Sequence, residues 1–155
     1  MKYLMTLLVF VVLLGMLVTI PRNASAGVEN NSQSESFAEL SQAKPPAIVF
    51  TNINIRKGSL MGKVFNIDRK RYVVAVYIYV EGGWWVKPTF SNPATLIKAG
   101  NKFETRLLTG GHDHLATKIQ AFVVPFYFNI PLVGGNAALP KSLSVNAIAM
   151  TSISR

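Results

Sequence analysis

No cysteine occurs anywhere in the 155 residues. That absence excludes a disulfide-stapled scaffold, a cysteine-ligated zinc or iron–sulfur centre and a thiol nucleophile. Charge is also scarce, at 15% of the chain, too little for a long solvated helix or coiled coil built on Glu, Lys and Arg. Acid is the scarcer sign: seven Asp+Glu stand against sixteen Lys+Arg, a formal net charge of +9. The groups that perform acid–base catalysis are correspondingly few. After residue 46 the only carboxylates are Asp68, Glu81, Glu104 and Asp113, whereas hydrolysis of a glycosidic bond requires an opposed pair. No G-x-S-x-G elbow is present, and Gly110-Gly111 precedes neither a Lys-Ser/Thr pair nor a helical pattern, as a phosphate loop would demand. The expectation is a protein that is not an enzyme and uses no cofactor.

What the chain does have begins at its N-terminus. Lys2 precedes Tyr3–Ile20, an uncharged run of 18 residues, and Pro21 stops it. Ala24-Ser25-Ala26 then offers small residues for a cut before Gly27. A basic start, an apolar run and an A-x-A site make residues 1–26 a secretory signal peptide. The run also reaches the lower limit for spanning a bilayer, so an uncleaved anchor at residues 3–20 is the alternative. In either case the body of the protein is expected outside the cytoplasm: secreted, periplasmic or extracellular. Loss of residues 1–26 removes Lys2 and Arg22 and no acid, so the remainder stays basic. There, anionic polymers or lipid headgroups are the expected attraction for positive charge, and nucleic acid is not expected as a partner. The plainer reading of the same charge is solubility.

Residues 27–46 are rich in Asn, Ser, Gln and Glu and end in Pro45-Pro46, a flexible polar linker with a stiff end. From Ala47 the hydrophobic period becomes two. Strands are expected at Ala47–Ile53, Ser59–Ile67, Arg71–Val80, a return from Trp84 to Lys87, Lys102–Leu108, Leu115–Val124 and Leu143–Ile153. Arg71–Val80 is apolar on both faces, as a central strand covered on two sides must be. About seven short strands without an amphipathic helix predict an all-β fold over residues 47–155, an immunoglobulin-like antiparallel β-sandwich, with a small closed barrel as the alternative. No interval holds the helix that a parallel crossover needs.

Gly83-Trp84-Trp85-Val86-Lys87 carries the most chemistry. Neighbours on a strand point to opposite faces, so Trp84, in phase with Val86, is expected inward and Trp85 outward beside Lys87. An outward indole is a flat apolar plate that stacks on a sugar ring; the plainer reading packs both indoles. Tyr77 and Tyr79 are expected on a buried face with their hydroxyls at its edge. Lys87, Lys102 and Arg106 are expected to form a strip that meets acidic groups of a polymer, and Asp113 to accept hydrogen bonds from hydroxyls. The alternative is a dispersed solvated surface whose edge lysines oppose sheet-to-sheet association. His112 and His114 fall on one side of an extended segment and offer two ligands to Zn²⁺ or Cu²⁺, though a metal site needs a third or fourth. The competing reading there is a polar turn in which Asp113 accepts hydrogen bonds from the loop's own amides.

Three segments act together: VVAVYIYV running into GGWWVKPT, then TGGHDHLATKIQAFVVP, then LPKSL ahead of a final strand. Over about residues 48–155 the chain resembles small immunoglobulin-like modules of exported bacterial proteins, including accessory domains of carbohydrate-active enzymes. The resemblance implies a non-catalytic exported module that binds or spaces at the cell surface. The leading expectation is thus a binding or spacer module for a cell-envelope or extracellular polysaccharide. A structural or adhesive envelope protein that engages another protein through a sheet edge, with Ala47–Ile53 as the offered strand, is the alternative. A small metal-binding export protein centred on His112 and His114 is the third.

Overall fold

The computed structural model describes residues 43–54 and 57–155. The signal peptide or anchor expected over residues 1–26 lies outside the described residues, as does the linker up to residue 42; Ala43–Pro46 is exposed and irregular.

β-Branched and aromatic side chains fill Tyr72–Val80 (β3), where their restricted χ1 rotamers suit an extended backbone. This strand is the axis of the domain. It pairs antiparallel with Lys118–Pro125 (β7) from Tyr72↔Pro125 to Tyr79↔Lys118. On its other side it pairs with Gly83–Lys87 (β4) and, nearer its start, with the three-residue strand Ala94–Leu96 (β5). Gly134–Asn136 (β8) extends the sheet beyond β4, and Ala149–Ser154 (β9) extends it beyond β7. A second antiparallel sheet holds Ala47–Asn54 (β1), Ser59–Phe65 (β2) and Lys102–Arg106 (β6), in the order β1–β2–β6. The two sheets are separate, so the structure is all-β but not the closed barrel.

Alternation along β3 divides the interior into two cores. Val74, Val76, Ile78 and Val80 meet Leu60, Val64, Phe103 and Leu107 of the smaller sheet and its flank. Val73, Ala75 and Tyr77 meet Phe122, Val124, Ile130 and Val133 on the opposite face, together with Leu143 from the short helix Lys141–Asn146 (α1). β3 is therefore covered on two sides, as its sequence predicts. Each fully buried Val, Leu or Ile contributes about 1.5–3 kcal/mol, and both faces of β3 supply such residues. The Tyr77 hydroxyl, carried into this second core, donates to the Pro131 carbonyl at 3.0 Å. Burial there pushes the phenol well above its ordinary value.

Three expectations are corrected. Leu143–Ile153 is not one strand, because Leu143 and Ala147 both reach the second core and are four residues apart. That spacing lies on one face of a helical turn; the Ala147 amide donates to the Leu143 carbonyl at 2.9 Å, and Val145, which strand alternation would put on the same face as Leu143 and Ala147, is 79% exposed. Only β9 remains extended. The strand expected from Leu115 to Val124 begins later: Leu115 is exposed in the 3-10 turn Asp113–Leu115, and β7 starts at Lys118. β2 stops at Phe65 because Asn66 takes a positive φ of 57° and turns the chain.

The smaller sheet contributes one unfavourable feature. Thr105, inward-facing between Phe103 and Leu107, is buried and its hydroxyl has no partner among the described residues. An unpaired buried hydroxyl costs about 1–3 kcal/mol. Thr105→Val keeps the shape and removes the polar atom, and is expected to stabilise the domain by about 1 kcal/mol. Urea titration checks this: the midpoint should rise with no change in slope.

Candidate binding site

The hairpin between β3 and β4 sets the site. Glu81 (φ 49°) and Gly82 (φ 85°) form its two-residue turn, and a turn with two positive φ values matches the twist of the strands it joins. Gly82 supplies the second value without a steric penalty. The turn fixes register, placing Trp84 opposite Tyr79 and Trp85 opposite Ile78. Alternation then separates the indoles. Trp84 packs against the second core, edge-on to Tyr79 with ring centroids 5.2 Å apart. Trp85 points to the other face and is 39% exposed; its ring lies against Gly134 and Gly135 of β8. Trp84 is the more buried indole and Trp85 the more exposed, as expected, but the faces differ from those of a sandwich filled by Trp84: Trp84 joins the second core, and Trp85 shares the face of Ile78, which belongs to the core between the sheets.

Lys87 lies on the same face as Trp85, two residues further along, but not in solvent. It is 5% exposed, and its Nζ donates to Asp113 Oδ2 at 2.5 Å and to Thr109 Oγ1 at 2.9 Å. Asp113 Oδ2 also accepts the backbone amides of Thr109 (2.8 Å) and Gly110 (3.1 Å). Burial alone would raise the Asp113 carboxyl, but the bonds from Lys87 and from these two amides outweigh it and hold the group below the ordinary carboxylate range. The loop Thr109–Asp113 is thus folded around one carboxylate oxygen, as the polar-turn reading expects. The expectation that Lys87 is a free cation for a polymer is corrected: its charge is already engaged inside the domain.

Trp85, Lys87 and Asp113 share one open cleft of about 490 Å³ whose wall also includes Pro88, Phe90 and Thr109. Phe90 is half exposed and its ring, like that of Trp85, borders Gly134. Lys102 and Arg106 are not part of this wall. They stand on exposed positions of β6 in the other sheet, because strand alternation sends Phe103 and Thr105 inward and them outward. The expected strip of Lys87, Lys102 and Arg106 does not form.

The histidines divide. His112 Nδ1 lies 2.7 Å from Glu81 Oε1 on the rim of the cleft, both side chains being exposed. His114 faces His112 edge-on, with ring centroids 6.3 Å apart. Among the described residues no group of three His, Asp or Glu side chains is placed to hold a metal ion. Sequence reasoning missed Phe90, Thr109 and Glu81 as cleft residues. Glu81 had a legible signal, its place in the turn beside the tryptophans; Phe90 lies two residues after Pro88 in a loop, where no periodicity indicates a direction.

The chain matches no protein-family model, no curated protein and no solved structure. The geometry therefore carries the chemistry alone. A half-exposed indole and a phenyl ring provide apolar plates, a fixed carboxylate provides a hydrogen-bond acceptor beside them, and the Glu81–His112 pair adds polar groups at the rim. Such a set is chemically suited to a ligand having one apolar face and several hydroxyls.

Proposed function

We propose that this chain is an exported immunoglobulin-like β-sandwich that binds a cell-envelope or extracellular polysaccharide in the cleft beside Trp85. The observation that carries this reading is the half-exposed Trp85 in the same cleft as the anchored Asp113 carboxylate. The C–H face of a sugar ring stacks on the indole while its hydroxyls donate to the carboxylate. Two antiparallel sheets that face each other over one core support the immunoglobulin-like description; the covering helix α1 is an addition to it. Export rests on the composition of residues 1–26. The module neither needs nor offers a cofactor in this reading, and Lys87 acts by holding Asp113 rather than by touching the polymer.

Affinity electrophoresis against a panel of neutral and acidic polysaccharides tests the proposal. At least one polymer should retard the protein, and Trp85→Ala should weaken that interaction at least tenfold, the loss expected for a central aromatic anchor. Lys102→Gln and Arg106→Gln should change it little. Failure of every polymer to retard the protein, or retardation unchanged in a folded Trp85→Ala variant, would overturn it.

Partnership with a protein through the edge of β1 draws less support. A bulge between Phe50 and Asn52 interrupts that strand, and bulges are a device by which edges are protected from further pairing.

A further inference from the structure

The opposite end of the domain has a different chemistry. β2 ends at Phe65 and β3 begins at Tyr72, so the connection Asn66–Arg71 lies at the end of β3 remote from Glu81. It presents Arg69, Lys70 and Arg71 consecutively, all exposed. Asp68, the one acid nearby, is occupied with backbone: its Oδ1 accepts the Lys70 amide and its carbonyl accepts the Arg71 amide, each at 3.0 Å. None of the three cations forms an ion pair among the described residues. β7 ends beside them, since Pro125 pairs with Tyr72 and the Phe126 amide donates to the Arg71 carbonyl at 2.9 Å. The next two side chains are the aromatic rings of Phe126, 67% exposed, and Tyr127, 88% exposed. Together Lys70–Tyr72 and Pro125–Tyr127 line a shallow cleft of about 210 Å³.

The chain also enters the domain here. Asn66 Nδ2 donates to the Pro45 carbonyl at 2.8 Å, and β1 starts at Ala47 opposite Phe65. Lys44, exposed in that leading segment, adds a fourth cation. In sequence the uncharged run Tyr3–Ile20 lies upstream of this same point.

From these positions we infer that the Arg69–Arg71 and Phe126–Tyr127 tip docks on a bilayer containing anionic lipids. Unpaired cations attract the headgroups, while protruding aromatic rings enter the interfacial region, where amphipathic rings are favoured. A polymer in water satisfies the cations but offers no apolar phase to Phe126 and Tyr127. The site shares no residue with the Trp85 cleft.

The absence of cysteine makes a site-specific test direct. In the full chain, Tyr127→Cys carries an environment-sensitive fluorophore, and Leu115→Cys, beyond the far end of β7, carries the same label as a control. Vesicles of phosphatidylglycerol mixed with phosphatidylcholine are compared with phosphatidylcholine alone. The label at residue 127 should shift to the blue with the anionic vesicles only, and the label at 115 should not shift. At roughly fivefold per cation at an anionic surface, combining Arg69→Gln, Lys70→Gln and Arg71→Gln should weaken the vesicle partitioning read at residue 127 roughly a hundredfold. Adding Trp85→Ala should leave the shift unchanged, which separates this inference from the fate of the proposed polysaccharide site. Equal responses at 127 and 115, equal responses to both vesicle types, no response, or persistence of the shift in the triple Gln variant would overturn the inference. So would a shift produced by a soluble polyanion without lipid, which would assign the tip to a polymer.

Discussion

Asp113→Ala is expected to destabilise the domain by about 3–5 kcal/mol, the cost of leaving a buried charge without its partner. Lys87 is 5% exposed and Asp113 Oδ2 is its only carboxylate partner among the described residues, so the variant strands a buried ammonium group. It also removes the acceptor that folds Thr109 and Gly110 into their turn. The double variant Lys87→Met, Asp113→Leu removes both charges and should recover much of the loss, because an apolar pair of similar volume meets no desolvation penalty. Chemical denaturation of the single and double variants measures the coupling directly.

The same pair dictates an acid response. The Asp113 carboxyl is held below its ordinary 3.8 in the folded protein, so the unfolded chain binds a proton at higher pH than the folded one. The stabilisation is fully present above the ordinary value and is lost as pH falls through the depressed folded value. Unfolding midpoints of the wild type should therefore decline on acidification below about pH 4, and those of Lys87→Met, Asp113→Leu should decline less.

Gly62→Ala is expected to cost about 2–3 kcal/mol, towards the upper end of what overpacking usually costs. A Cβ at this position would overlap the ring of Phe103 and come within 2.6 Å of the Val49 carbonyl oxygen. Phe103 is 1% exposed and central to the core between the sheets, and Val49 is backbone in β1, so neither neighbour has room to retreat. Phe103→Leu by itself should destabilise through a cavity. In combination with Gly62→Ala it should cost less than the sum of the two changes, which a double-mutant cycle by thermal or urea unfolding reads as a favourable coupling.

Much of this architecture was legible because strand periodicity is a local signal. β3 announces burial on both faces in nine consecutive residues, and Phe103, Thr105 and Leu107 announce an inward face by strict alternation. The two tryptophans follow the same rule, so their opposite directions were legible too. What was not legible depended on distant partners. Leu143, Val145, Ala147 and Ala149 fit a strand equally well in isolation; only the position of the second core selects Leu143 and Ala147 and turns the segment into a helix. β5 and β8 are three residues each, too short to establish any period. Lys87 reads as an outward cation on its strand, and nothing local reveals that the Thr109–Asp113 loop folds over it. The basic and aromatic residues of the far tip come from two connections more than fifty residues apart, and pairing of Tyr72 with Pro125 is what joins them.

That last pairing has a mechanical consequence. β3 runs from the Arg71 end of the domain to the Glu81 end, nine extended residues or about 30 Å, and carries one candidate surface at each extremity. A pull applied between those extremities acts along the strand axis, across the interstrand hydrogen bonds, which lie perpendicular to it. The β3–β7 ladder is then loaded in shear, its bonds sharing the force instead of parting one after another. A polymer held at the cleft and a surface held at the tip would strain the domain in its stiffest direction.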